Sequence, residues 1–164
     1  MKRLLIVMCM LCFSSLAGLC PPIQEYQKEK LNFEIKKHLF YLTVYDKPFS
    51  PELLRQALIF EGVQAPDIAF KQAQLETGGF TSELFIVAKN LFGMRYARIR
   101  DTYAIGEHKS HAYYNTWLSS VRDYALWQAW YIENGHDLSN YYAFLQDIGY
   151  ATDKWYISKL KGIS

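Results

Sequence analysis

Two prolines and two glycine stops constrain this chain more than any other feature. Ser50-Pro51 is a helix start: serine accepts a hydrogen bond from the first turn, and proline at the first helical position loses no backbone donor. The periodic stretch that follows runs to about Phe60 and stops at Gly62. Ala65-Pro66-Asp67 begins a second helix by similar logic, with an acidic residue in its first turn. It continues through Ile68, Ala69, Ala73 and Leu75. Gly78-Gly79 closes it, because glycine takes the left-handed conformation of a helix C-terminus without penalty. A chain punctuated this way in its first half is committed to short packed helices.

The rest of the pattern extends that expectation. Leu31, Ile35 and Leu39 recur every fourth residue within 23–40, so a helix is expected there, with 41–49 as a connector. Thr81-Ser82 caps a short helix reaching Lys89, and Asn90-Leu91-Phe92-Gly93 reads as a turn. Residues 94–114 lack helical periodicity and interleave arginines with tyrosines, which predicts a small β-like lobe or a flap. Asn115-Thr116 then caps a long helix to Tyr131, with Trp117, Val121, Tyr124 and Gln128 on one stripe. Two shorter helices follow near 139–147 and 152–160. The expected fold class is α+β, mostly helical, with one small β-lobe.

The first residues read as a leader rather than as part of the fold. Lys2 and Arg3 precede an apolar run, Leu4 to Phe13, too short to span a membrane, and Ser15-Leu16-Ala17 supplies small residues at a cleavage spacing. The expected organisation is a signal peptide over 1–19, an N-terminal helix and connector over 20–49, and a single further domain over 50–164. Removing Lys2 and Arg3 from the 18 basic side chains leaves 16, against 16 acidic ones. That balance removes the charge argument for nucleic-acid binding. All three cysteines, Cys9, Cys12 and Cys20, lie in or beside the leader, which excludes an internal disulfide or a thiolate metal cluster in the domain. Cys20 stands where a bacterial lipoprotein carries its acylated cysteine, although Leu19 before it is bulkier than lipoprotein processing prefers. A lipid anchor at Cys20 and a freely secreted or periplasmic protein both remain open, and no integral membrane span is expected.

Glu76 falls in the last turn of its helix, where partial negative charge disfavours a carboxylate. The same negative end and an apolar surround raise a carboxyl pKa, the condition required of a glycosidic general acid. Ala69 and Ala73, on the face of Glu76, are expected to leave room above the helix. Glu107-His108-Lys109-Ser110-His111 superficially suggests a zinc-protease helix, but the order His-Glu-x-x-His is absent, so no metal is expected. No nucleophile elbow or phosphate loop occurs. Trp117, Trp127, Trp130 and Trp155 fall in helical stretches and are expected mostly in the core.

Phe70 to Ser82, containing Glu76-Thr77-Gly78, resembles the catalytic segment of the bacterial glucosaminidases, the autolysin and flagellar-type peptidoglycan hydrolases. Ala88-Lys89-Asn90-Leu91-Phe92-Gly93, Tyr114 to Tyr124, and Tyr150-Ala151-Thr152-Asp153 with Tyr156 and Leu160 are similar to three further motifs of that family, in the family's order. The resemblance implies a lysozyme-like fold, peptidoglycan as partner, no cofactor, and cleavage after N-acetylglucosamine with Glu76 as acid. It also implies a second carboxylate in the β-lobe, for which Glu107 fits the spacing better than Asp101. Tyr150 matches a cleft-lining tyrosine that would stabilise developing positive charge or the acetamide. Asn90, Phe92 and Tyr114 are the expected substrate-contacting residues, the first two as cleft wall. A second carboxylate would activate water at roughly 6.5–9.5 Å from Glu76 or attack at about 5–5.5 Å, and the substrate's own acetamido group is a third route. A non-catalytic peptidoglycan-binding module and a muramidase or lytic transglycosylase are the rival functions.

Overall fold

The computed structural model describes residues 21–44 and 47–163; the segment expected to be a leader, Cys20 and the other two cysteines lie outside the described residues. The chain divides into two compact units at Lys47/Pro48. The first contains one helix, α1 (Pro21–Val44), which runs four residues beyond the expected end at Phe40. Thr43 is accommodated in its last turn by donating its hydroxyl to the Phe40 carbonyl, at 2.9 Å.

The second unit holds everything else: α2 (Pro51–Phe60), α3 (Pro66–Glu76), α4 (Glu83–Ala88), β1 (Gly106–His108), β2 (His111–Tyr113), α5 (Trp117–Glu133), α6 (Tyr141–Asp147) and α7 (Tyr156–Gly162). It is a mostly helical α+β unit with one two-stranded antiparallel sheet. The caps are local chemistry. Ser50, Ser82, Thr116 and Asn140 each accept a backbone N–H of the first turn through the side chain. Ala65 has no such oxygen and caps α3 differently: it adopts φ 50°, and its carbonyl takes the N–H groups of Ile68 and Ala69.

α3 packs against α2 and α7, and α2 against α5. Leu54, Leu58, Ala69, Ala73, Val121 and Tyr124 are fully buried there. A second cluster, built on Leu138, Tyr141, Phe144, Leu145, Tyr156 and Leu160, brings α6 and α7 to the end of α3. Ala69 and Ala73 therefore do not leave open room above the helix: both lie in the interior, where small side chains let neighbouring helices approach closely.

The aperiodic stretch is anchored. Lys109 and Ser110, at φ 48° and 65°, make a two-residue turn between β1 and β2 whose positive φ angles match the twist of a hairpin. The Lys109 ammonium bonds both Glu83 oxygens at 2.7 Å, tying the hairpin to α4. Arg100 grips Asp123 of α5 with two 3.1 Å bonds, and both side chains are almost wholly buried. The Asp123 carboxylate also accepts the Tyr103 N–H and the Tyr114 hydroxyl. Burial pushes this carboxyl up, but the bonds from Arg100, Thr102 and Tyr114 outweigh it and hold it below the usual range.

Candidate active site

Thr77 ends α3 abruptly. Its buried hydroxyl donates to the Ala73 carbonyl at 2.5 Å and accepts the Phe80 N–H at 2.9 Å, while Gly79 N–H returns to the Gln74 carbonyl. Gly78, Gly79 and Phe80 all take positive φ, turning the chain away directly after Glu76. Phe80 is held by its neighbours Phe49, Phe70 and Phe85, with ring centroids 4.8–6.2 Å apart. Glu76 is thus left at the rim of a cleft of about 780 Å³ in the second unit.

The wall beside Glu76 is the turn after α4, and Asn90 builds it. Its buried amide donates to the Met94 and Ala112 carbonyls at 2.9 and 2.8 Å and accepts the N–H groups of Phe92 and Met94. All of its bonding capacity is spent on backbone. The turn brings Gly93, at φ +64°, so close to Glu76 that a Cβ there would lie 2.9 Å from Oε2. Phe92 lines the cleft, stacked on Tyr124 at 4.0 Å. Aromatic faces continue the wall along α5, where Trp127, Trp130 and Tyr131 (i, i+3, i+4) share one side. Arg95, Arg98, His111 and Lys159 add positive charge or donors.

Burial raises the Glu76 carboxyl above its ordinary value, and two weaker effects oppose it: the 2.8 Å bond that the Tyr156 hydroxyl donates to Oε1, and the charge of His111. A carboxyl so placed keeps its proton to higher pH than a solvated one, as an acid catalyst must.

The other expected site residues are distributed unevenly. Tyr150 lines the cleft, but its hydroxyl donates to the Phe92 carbonyl at 2.6 Å and so pins the turn. Asn90 is fully buried and shapes the wall without lining it. Tyr114 is also fully buried, bonded to Asp123 at 2.8 Å, and belongs to the anchor of the lobe rather than to the cleft. Glu107 is exposed on β1, pairs with Arg98 at 3.2 Å and does not line the cleft; Asp101 does not line it either. Glu107 to His111 forms the hairpin instead of a helix.

Several cleft-lining residues were not among those expected from the sequence. Asp153 is the second carboxylate lining the cleft; it accepts the Trp155 N–H at 2.9 Å and Lys159 at 2.6 Å, and these bonds hold it below its usual value. Its place in Tyr150-Ala151-Thr152-Asp153 was the available signal. Trp127 and Trp130 are cleft walls, not core, and Trp155 is 60 % exposed. The second stripe at 127, 130 and 131 was visible beside the buried one.

A half-buried carboxyl at a helix end, in a cleft also lined by aromatic side chains, is the arrangement of a glycosidase-type site. The family model for mannosyl-glycoprotein endo-β-N-acetylglucosaminidase matches residues 52–164, and the chain belongs to this glucosaminidase family. The match supports a peptidoglycan-related glycosidase in general. No curated protein and no solved structure matches the chain.

Proposed function

We propose that the chain hydrolyses the glycan strand of peptidoglycan at N-acetylglucosaminyl bonds, with Glu76 as general acid. The observation that carries this is the Glu76 carboxyl itself, half-buried, raised by burial and lining the same cleft as Trp127 and Trp130. Glu76 protonates the leaving oxygen as the glycosidic C–O bond breaks, and water is the final acceptor. Aromatic faces suit the apolar faces of sugar rings, and a few polar groups fix the register.

The position of Glu107 favours a particular route. With Glu107 outside the cleft and bonded to Arg98, the substrate's acetamido oxygen is the fitting nucleophile. It attacks the anomeric carbon while Glu76 supplies the proton, and water then opens the cyclic intermediate with return of a proton to Glu76. Asp153, ionised and close to Lys159, would stabilise the positive charge that develops on the acetamide nitrogen. The leader over 1–19 supports export, with either a lipid at Cys20 or free release placing the domain at the wall. Among the described residues no helix is long and apolar enough to cross a membrane.

Purified wall incubated with the protein is expected to release fragments ending in reducing N-acetylglucosamine, identified by mass spectrometry. Glu76→Gln removes the proton donor and should abolish release, and full activity in that variant sinks the mechanism. Reducing muramic acid or anhydro ends would assign the muramidase or transglycosylase reaction instead. Wall binding without new ends would leave a binding module.

A further inference from the structure

Behind Glu76 the core is polar in an ordered way. Gln72 lies one helical turn before Glu76, so both side chains share a face of α3. The Tyr156 hydroxyl bridges them: it accepts the Gln72 amide at 3.3 Å and donates to Glu76 Oε1 at 2.8 Å. Gln72 Oε1 accepts the Tyr124 hydroxyl at 2.5 Å. Tyr124 and Tyr141 share a further bond of 2.5 Å, and Tyr141 accepts the Gln128 amide at 2.6 Å. Gln128 ends the series on backbone, accepting the Gln64 N–H at 2.7 Å and donating to the Gln64 carbonyl at 3.1 Å. Gln72, Tyr124, Gln128, Tyr141 and Tyr156 are all buried.

The direction of these bonds is determined at both ends. The Gln64 backbone offers one donor and one acceptor, which fixes which end of the Gln128 amide is nitrogen. That nitrogen faces the Tyr141 oxygen, so the Tyr141 hydrogen is free only for Tyr124. Tyr124 must then donate to Gln72 Oε1, and the Gln72 nitrogen must donate to Tyr156. The remaining Tyr156 hydrogen can go only to Glu76. Reversing the series would set donor against donor at Gln128. The phenols keep their protons throughout, because burial pushes the Tyr124, Tyr141 and Tyr156 hydroxyls above the usual tyrosine value.

We infer that Gln72, Tyr124, Tyr141 and Tyr156 are positioning residues: a one-way hydrogen-bond chain, anchored on the Gln64 backbone, that donates into Glu76 Oε1 and so confines the transferable proton to Oε2, beside Gly93. The assignment rests on Glu76 being the acid. Its consequence is twofold. The proton to be transferred has one address, and the carboxylate left after transfer is met by a donor already in place, with no reorganisation. The other groups acting on Glu76 are separate from the chain. His111 on β2 lowers it by charge, the Tyr150 phenol is spent on Phe92, and Arg95, Arg98, Asp153 and Lys159 are set along the cleft walls.

The test is a ¹³C NMR titration of the Glu76 carboxyl in the free protein, with the signal assigned by Glu76→Gln. It needs no substrate, so it remains decisive even if no glycan is cut, an outcome that product analysis detects separately. A donor to a carboxylate favours its ionised form, so Tyr156→Phe should move the Glu76 titration upward by about one pH unit or more. Tyr124→Phe, which never touches Glu76, should move it upward by roughly a few tenths of a unit through weakened polarisation of the chain. In the Tyr156→Phe background, Tyr124→Phe should produce no further shift. Equal shifts from Tyr124→Phe in both backgrounds, a downward shift, or none in Tyr156→Phe overturns the chain. Should Tyr156→Phe fail to fold, Tyr124→Phe and Tyr141→Phe report on the same series, and an unmoved titration in both overturns it equally.

Discussion

Gly93→Ala isolates the contact between the turn and the acid. The substitution does two things whose magnitudes can be separated. An alanine at φ +64° costs about 1–2 kcal/mol of backbone strain, as for any L-residue in the left-handed region. The added Cβ also falls 2.9 Å from Glu76 Oε2, inside van der Waals separation, with the carboxyl carbon at an ordinary 3.6 Å. Neither side yields freely, because Asn90 fixes the turn backbone and Tyr156 holds Oε1. The carboxyl must swing, and displacement approaching 1 Å at a proton donor costs on the order of 10²-fold in rate. Gly62→Ala is the control: its φ is +71°, yet its Cβ would meet nothing within 4 Å. Both variants should therefore lose stability in a thermal melt, Gly93→Ala by at least as much as Gly62→Ala, while only Gly93→Ala loses kcat for release of soluble wall fragments. If Gly93→Ala keeps near-wild-type kcat, or if both variants lose it equally, the contact does not govern the acid.

Arg100→Ala should destabilise the fold by about 3–5 kcal/mol, because it strands the fully buried Asp123 carboxylate. Asp123 is held below the usual carboxylate range in the folded state, so the stability it contributes is present above the ordinary carboxylate value and is lost as pH falls through its folded value. A chemical-denaturation series should show the penalty of Arg100→Ala shrinking toward low pH; a penalty that does not change with pH refutes the pairing. Glu107→Gln breaks only an exposed pair, worth at most about 1 kcal/mol, and should leave kcat unchanged. A loss comparable to that of Glu76→Gln would return Glu107 to the chemistry.

What could be read from sequence is divided by the range of the interaction. Helix starts at Ser50, Ser82 and Thr116 were legible because a cap is formed within four residues. The place of Glu76 in the last turn of α3 was legible for the same reason, since the glycine stop that follows it is local. Tyr114 was not. Its partner Asp123 is nine residues away across a turn, and a tyrosine that fills a core looks the same in one dimension as one that faces a sugar. Glu107 was misplaced because spacing along an irregular lobe says nothing about which side of a hairpin a residue occupies. Glu107 is exposed on β1 and its carboxylate turns to Arg98. Asp153 was not legible as a cleft carboxylate because the resemblance implies one in the β-lobe, whereas Asp153 reaches the cleft through the packing of α7 on α3.

The polar core behind Glu76 bears on why this fold tolerates it. Gln72, Tyr124, Gln128 and Tyr141 occupy interior positions where leucine or phenylalanine would bury more apolar surface at no desolvation cost, and buried polar networks are often no more stabilising than their apolar replacements. Partial removal is worse than either extreme, because each loss leaves a buried donor or acceptor unmade. Stability alone therefore does not select this series over an apolar core, whereas the defined protonation geometry proposed for Glu76 would. The same helix supplies both halves. Ala69 and Ala73 bring its neighbours close enough for Gln72 to meet Tyr124 and Tyr156, and the abrupt stop at Thr77 leaves Glu76, one turn beyond Gln72, at the rim of the cleft. Lengthening α3 by replacing Gly78 and Gly79 with alanine would keep Gln72 in the core but remove the turn that clears the space before Glu76. Such a variant should retain the hydrogen-bond chain, seen as slow exchange of the Gln72 amide protons, while losing wall hydrolysis. Loss of both together would mean that the chain and the cleft are not separable features of α3.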